Sequence, residues 1–135
     1  MNETPQILKF AQDYAAAWCS QQPELVAAFF AENGSLAING GKPSVGRAAI
    51  AKDAQSFMTA FPDLAVSLDI LIPTEFGTQF HWTLTGTNTG PGGTGNSVRI
   101  SGYEIWRIGD DALIAESKGH FDEAEYKRQI DQDST

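Results

Sequence analysis

The residues near the end of the chain that could do chemistry are His120 and Asp122, two apart in a stretch that alternates like a β-strand. At that spacing both project from one side of the strand. A carboxyl in an apolar cavity has its charged form disfavoured, which raises its pKa and makes it usable as a general acid or base. Asp122 also opens the run Asp-Glu-Ala-Glu. That is the spacing of a capping box, with Asp122 as helix N-cap and Glu125 reaching back. Amide donors at a helix start lower a carboxylate's pKa, the opposite shift. Both readings of Asp122 stand at this point. His120 is either a partner of Asp122 or a hydrogen-bonded structural histidine, and His81 looks toward the opposite face of its strand.

Other chemistries find less support. The two histidines are far apart, and Cys19 has no second cysteine to make a disulfide or a zinc site. Cys19, beside Trp18 on a helical stretch, reads as inert core. The glycine-rich Gly90-Pro91-Gly92-Gly93-Thr94-Gly95 lies between two strand-like runs, so it lacks the helix start that a phosphate loop needs. No serine sits in a nucleophile elbow.

These groups must be held by a scaffold, and its centre is the stretch from Gln79 to Trp106. Two runs rich in Phe, Trp, Thr, Val, Ile and Tyr flank the glycine turn, as in a long antiparallel hairpin. In the first arm Phe80, Trp82, Leu84, Gly86 and Asn88 share a face, opposite His81, Thr83, Thr85 and Thr87. Before it comes a strand with Leu64, Val66, Leu68, Ile70 and Ile72 on one side, ended by Pro73. After it, Gly109-Asp110-Asp111 turns into a last strand with Ile114, Glu116, Lys118, His120 and Asp122 on one side, and then a helix packing Tyr126 and Ile130. Upstream, Thr4-Pro5 caps a first helix with Tyr14 and Trp18 on its buried face. Pro23 opens a short second helix whose buried side includes Phe29 and Phe30 and which ends at Asn33-Gly34. Leu36 to Ile38 is a short strand, and a third helix begins after Gly46, buries Phe57 and stops at Pro62.

Helices first and antiparallel strands after give an α+β layout with the helices against one face of the sheet. If the sheet curls, a cone remains between sheet and helices. Trp82, Asn88, Asp122 and the aromatics of the first helix would line it.

The whole chain of 135 residues is read as one domain, with 41% hydrophobic residues and a formal charge of −8. Nine basic residues facing seventeen acidic ones argue against nucleic acid and anionic membranes as partners. The single cysteine and the polar N-terminus, without a secretory signal or an apolar run of membrane length, place the chain in the cytoplasm.

The stretches Phe61 to Leu64, His81 to Gly90 and Ile114 through Asp122 to Gln129, with the Ala-Ala-Ala-Trp at Trp18 and Gly46 before the third helix, resemble the SnoaL-like polyketide cyclases. These sit in the nuclear transport factor 2-like superfamily beside ketosteroid isomerases and limonene epoxide hydrolases. The likeness covers about residues 6 to 131. It implies a cone-shaped α+β barrel, a buried pocket, no cofactor and a homodimer through the back of the sheet. It also implies an acid/base aspartate at the end of the last strand, where Asp122 stands. Asn88 replaces a histidine that the family often has, leaving a one-base site with Asn88 as a hydrogen-bond donor to a carbonyl oxygen.

The expectation is therefore a cofactor- and metal-free cyclase or isomerase acting on a small or polycyclic carbonyl compound. Asp122, Asn88 and His120 do the chemistry, Asn88 or Tyr14 holds the enolate, and Tyr14, Trp18, Phe57, Trp82 and Tyr103 form the substrate walls. The alternatives are a non-catalytic binder of an apolar metabolite and an interaction module whose cone is filled by side chains.

Overall fold

In the computed structural model the described residues run from 4 to 131, with the side chains of Thr4 and Pro5 outside that set. The expected cap at Thr4 and the polar leader before it lie outside the described residues. Helix α1 (Thr4–Cys19) is followed by α2 (Pro23–Ala27), β1 (Phe30–Ile38), β2 (Ser44–Val45) and α3 (Arg47–Ala60). Then come β3 (Ala65–Thr74), β4 (Gly77–Thr87), β5 (Ser97–Ile108), β6 (Ile114–Phe121) and α4 (Glu123–Asp131).

The strands form one sheet in the order β2-β1-β6-β5-β4-β3. The hairpin β4–β5 lies inside it, with Thr78 opposite Trp106 and Thr87 opposite Ser97. All pairs are antiparallel except β1 with β6. The last strand therefore slots between the first strand and the hairpin. This is the α+β layout expected, with the helices covering one face of a mixed sheet.

The inner face is set by alternation. Phe80, Trp82 and Leu84 of β4 and Val98, Ile100 and Trp106 of β5 are buried with Tyr14, Trp18, Ile50, Met58 and Phe61 from the helices. Burying such side chains is worth roughly 1.5–3 kcal/mol each. On the outer face, Tyr103 stacks on His81 at 5.2 Å and meets His120 at 5.1 Å.

Two elements differ from the sequence reading. The second helix stops at Ala27, and the chain from Phe30 is strand, because β6 recruits it: the Ile114 amide donates to Phe29 O at 2.9 Å. Tertiary pairing overrides the local helical pattern of Leu25, Val26, Phe29 and Phe30. Pro73 also does not end β3. It lies within the strand opposite Thr78, tolerated because β3 is the sheet's edge.

The hairpin loop is tied down at its root. Asn88 is buried; its Oδ1 accepts from the Thr94 amide at 2.9 Å and its Nδ2 donates to Ala60 O at 3.3 Å. Gly90 runs so close to the end of α3 that a Cβ there would stand 1.9 Å from Thr59 O, which only glycine permits.

Candidate active site

Counting register outward from the hairpin settles which side chains face the helices. Glu104 lies opposite Phe80 on one side and Gly119 on the other, in the same row as Trp106 and Ser117. It is 7% exposed, a carboxyl in the apolar half of the molecule. Its Oε1 accepts from Ser117 Oγ at 2.7 Å, Trp106 Nε1 at 2.9 Å and Tyr14 Oη at 3.1 Å. Tyr14 Oη is shared with Oε2, also at 3.1 Å. Among the described residues no basic side chain is hydrogen-bonded to or ion-paired with Glu104. Burial pushes the Glu104 carboxyl above the ordinary carboxylate range, opposed in part by the bonds from Ser117, Trp106 and Tyr14. Burial likewise raises the Tyr14 hydroxyl, reinforced by the Glu104 charge, so Tyr14 stays protonated and donates.

The asymmetry between the two oxygens matters. Oε1 is saturated by neutral donors, whereas Oε2 has only the shared tyrosine. A proton taken up by Glu104 therefore belongs on Oε2 and leaves the Oε1 network intact.

Glu104 lines a cavity of about 60 Å³ with Trp18, Leu36, Ile38, Phe57, Phe80, Trp82, Leu84, Ile100, Gly119, Phe121 and Tyr126 among its walls. By the same measure one water needs roughly 10–15 Å³, so there is room for a few waters or one compact organic molecule. Apart from the Glu104 carboxyl the wall is almost wholly apolar.

Of the expected site residues, Trp18, Phe57 and Trp82 line this cavity. The others lie elsewhere. Asp122 is exposed, and its Oδ1 accepts from the Glu125 amide at 3.0 Å as a helix N-cap. Glu125 does not complete a box; its carboxylate turns to Arg128 and Gln129. His120 and Tyr103 are on the outer face, their rings in tilted contact. Both amide atoms of Asn88 serve the hairpin loop, and the Tyr14 hydroxyl serves Glu104, so neither points a free donor at a ligand.

The displacement of His120 has one cause. Arg107 pairs with Glu116 but Ile108 pairs with Ile114, so β6 carries a bulge at Ala115. A bulge inserts one residue and flips every later side chain to the other face. Ile114 faces the core, and beyond the bulge Ser117, Gly119 and Phe121 face in while Lys118 and His120 face out. The same shift occurs at Asp69 in β3 and turns Ile70 and Ile72 outward, 55% and 37% exposed.

Glu104 and Tyr126 were not foreseen as site residues. The signal for Glu104 was the row Val98, Ile100, Gly102, Glu104, Trp106: one ionisable group on an otherwise apolar strand face. Among the described residues no three His, Cys, Asp or Glu side chains gather as a metal site.

Helices followed by a six-stranded mixed sheet packed against them give the ketosteroid isomerase-like, nuclear transport factor 2-like fold. The family model for SnoaL-like polyketide cyclases matches residues 9–130, and the chain belongs to that family. No curated protein matches it. Among solved structures, a SnoaL-like polyketide cyclase candidate from Jannaschia sp. CCS1 superposes with a TM-score of 0.80 at 14% identity, covering 97% of this chain and 92% of the other. A protein of ketosteroid isomerase-like fold from Catenulispora acidiphila, in complex with trimethylamine, gives 0.78 at 15% identity over 90% and 92%. The epoxide hydrolase/cyclase-like enzyme SalBIII of salinomycin pyran-ring formation gives 0.77 at 16% over 93% and 97%. Among the described residues no helix is long and apolar enough to cross a membrane.

Proposed function

We propose that the protein is a cofactor-independent cyclase or isomerase in which Glu104, rather than Asp122, moves the proton. The observation that carries this reading is the Glu104 carboxyl: buried, without a cation, and on the wall of the cavity. As a carboxylate, Oε2 removes a proton next to a substrate carbonyl; as an acid, it returns that proton at a second carbon or an oxygen. Tyr14, Trp106 and Ser117 hold Oε1 still, so only Oε2 is free to react. The walls are almost wholly apolar and leave room for a compact, mainly apolar carbonyl compound. Family membership supports a cyclase or isomerase class without naming the substrate.

The test is deuterium exchange. In D2O, NMR should show the protein incorporating deuterium next to the carbonyl of a small cyclic ketone, and Glu104→Gln should lose this. Equal exchange by Glu104→Gln overturns the assignment. Binding of the ketone without exchange by either protein favours the second reading, a non-catalytic binder in which Glu104 only orients the ligand.

We also propose a homodimer through the outer face of the sheet. Ile70 and Ile72 lie exposed on the same side of the sheet as His81 and Tyr103, a partly apolar surface of the kind that sheet-on-sheet contact covers. Light scattering should give twice the chain mass at micromolar concentration, and Ile70→Asp should halve it; a monomer mass for the unaltered chain overturns this.

A further inference from the structure

The cavity's rings are arranged in a belt. Trp18 meets Phe57 edge-to-face at 6.0 Å, Phe57 meets Tyr126 at 6.4 Å, Tyr126 meets Phe121 at 5.5 Å and Phe121 meets Trp82 at 5.9 Å. The interplanar angles are 74°, 61°, 74° and 65°. All five rings are among the walls of the cavity. A ring face carries negative potential and attracts cations. Glu104 lies on the same wall and has no basic partner. The donors near it, Tyr14, Trp106 and Ser117, are spent on its own oxygens. An aromatic wall that carries a carboxyl and no Lys, Arg or His favours positive charge over negative. The chain as a whole does too, since a formal charge of −8 raises the local concentration of cations and repels anions.

We infer that the ligand of this cavity is a small organic cation, a compact molecule bearing an alkylated ammonium group with its N-alkyl carbons against Trp18, Trp82 and Tyr126 and its charge balanced by Glu104. Alkylation matches the wall. A bare ammonium needs several hydrogen-bond acceptors and the cavity offers one carboxyl, whereas N-methyl groups need only apolar contact. The inference rests on the reading that Glu104 is the working polar group of the cavity, and it names the charge of the substrate that this group meets.

The experiment is a calorimetric comparison on the full chain, at about pH 8, of choline and its neutral isostere 3,3-dimethylbutan-1-ol. The two differ in a quaternary nitrogen against a carbon. Choline should bind roughly tenfold tighter or better, and Trp82→Leu should reduce that ratio roughly fivefold. Glu104→Gln should weaken choline while leaving the alcohol within about twofold. The ratio is read first on the unaltered chain, so a variant that fails to fold does not remove the test. Choline binding no tighter than the alcohol, or not binding, overturns the inference. If deuterium exchange on the neutral ketone still depends on Glu104 in that event, the acid/base reading survives; if exchange is also indifferent to Glu104, both fall.

Discussion

Glu104 and Gly119 face each other across the β5–β6 ladder, and a Cβ added at Gly119 would lie 3.6 Å from Glu104 Cγ. The space beside the carboxyl exists because this residue has no side chain. Alanine there meets only ordinary van der Waals contact, while a branched side chain fills the cavity. Gly119→Ala should fold and keep ligand binding. Gly119→Val should fold, at a cost of up to about 1–3 kcal/mol for overpacking, and lose ligand binding at least roughly tenfold. Undiminished binding by a folded Gly119→Val would place the ligand elsewhere.

Glu104 also holds the core together. Glu104→Ala strips Tyr14, Trp106 and Ser117 of their common acceptor and should cost about 3 kcal/mol in urea unfolding, whereas Glu104→Gln, which keeps one oxygen, should cost about 1 kcal/mol. Equal losses in the two variants would show that the hydrogen bonds contribute little.

The stability of the chain should carry the signature of this carboxyl. Because burial raises the folded-state pKa of Glu104, the folded chain keeps a proton that the unfolded chain releases near 4.3, the ordinary glutamate value of about that size. Its contribution is complete below that value and is lost as pH rises through the folded value. The unaltered chain should therefore lose stability relative to Glu104→Gln as pH climbs from about 4. Asp63 runs the other way. Bonds from the Thr87 amide and hydroxyl, at 2.7 and 2.8 Å, hold its carboxyl low, so its contribution fades as pH falls, and Asp63→Asn should remove that acid-side trend. A Glu104→Gln difference that is flat with pH would contradict the burial of a raised acid.

Asp122 separates cap from catalyst by substitution alone. Asparagine caps helices as well as aspartate, so Asp122→Asn should leave stability, exchange activity and binding unchanged, while Asp122→Ala should cost about 1 kcal/mol through α4. Loss of turnover in a fully folded Asp122→Asn would return the acid/base role to this residue.

The helices, the hairpin and its face were legible because each rests on local signals: Pro23 and Pro62 at helix ends, the glycines of the 90–95 turn, and an unbroken alternation from Phe80 to Leu84. What periodicity could not carry was phase across a bulge. The single extra residue at Ala115 sent His120 outward, and with it the expected alliance with Asp122, although that residue's spacing to Glu125 had already offered the cap. Glu104 was hidden for a different reason. A glutamate between Tyr103 and Ile105 looks like the solvent side of a strand until the register with Phe80 is fixed, and that register is a long-range fact. Asn88 was correctly placed among inward residues, but its partners at Thr94 and Ala60 come from loop closure that spacing does not encode.

The position of β6 has a bearing on how the molecule comes into being. This strand is made last yet lodges between β1 and β5, so the sheet stays in two halves until it arrives. Ser117 travels with it, and until then Glu104 lacks both a donor and a roof. Synthesis from the N-terminus thus leaves an open, half-built sheet with a hydrated carboxylate, and the last insertion closes the fold and completes the hydrogen bonds of Glu104 in one event.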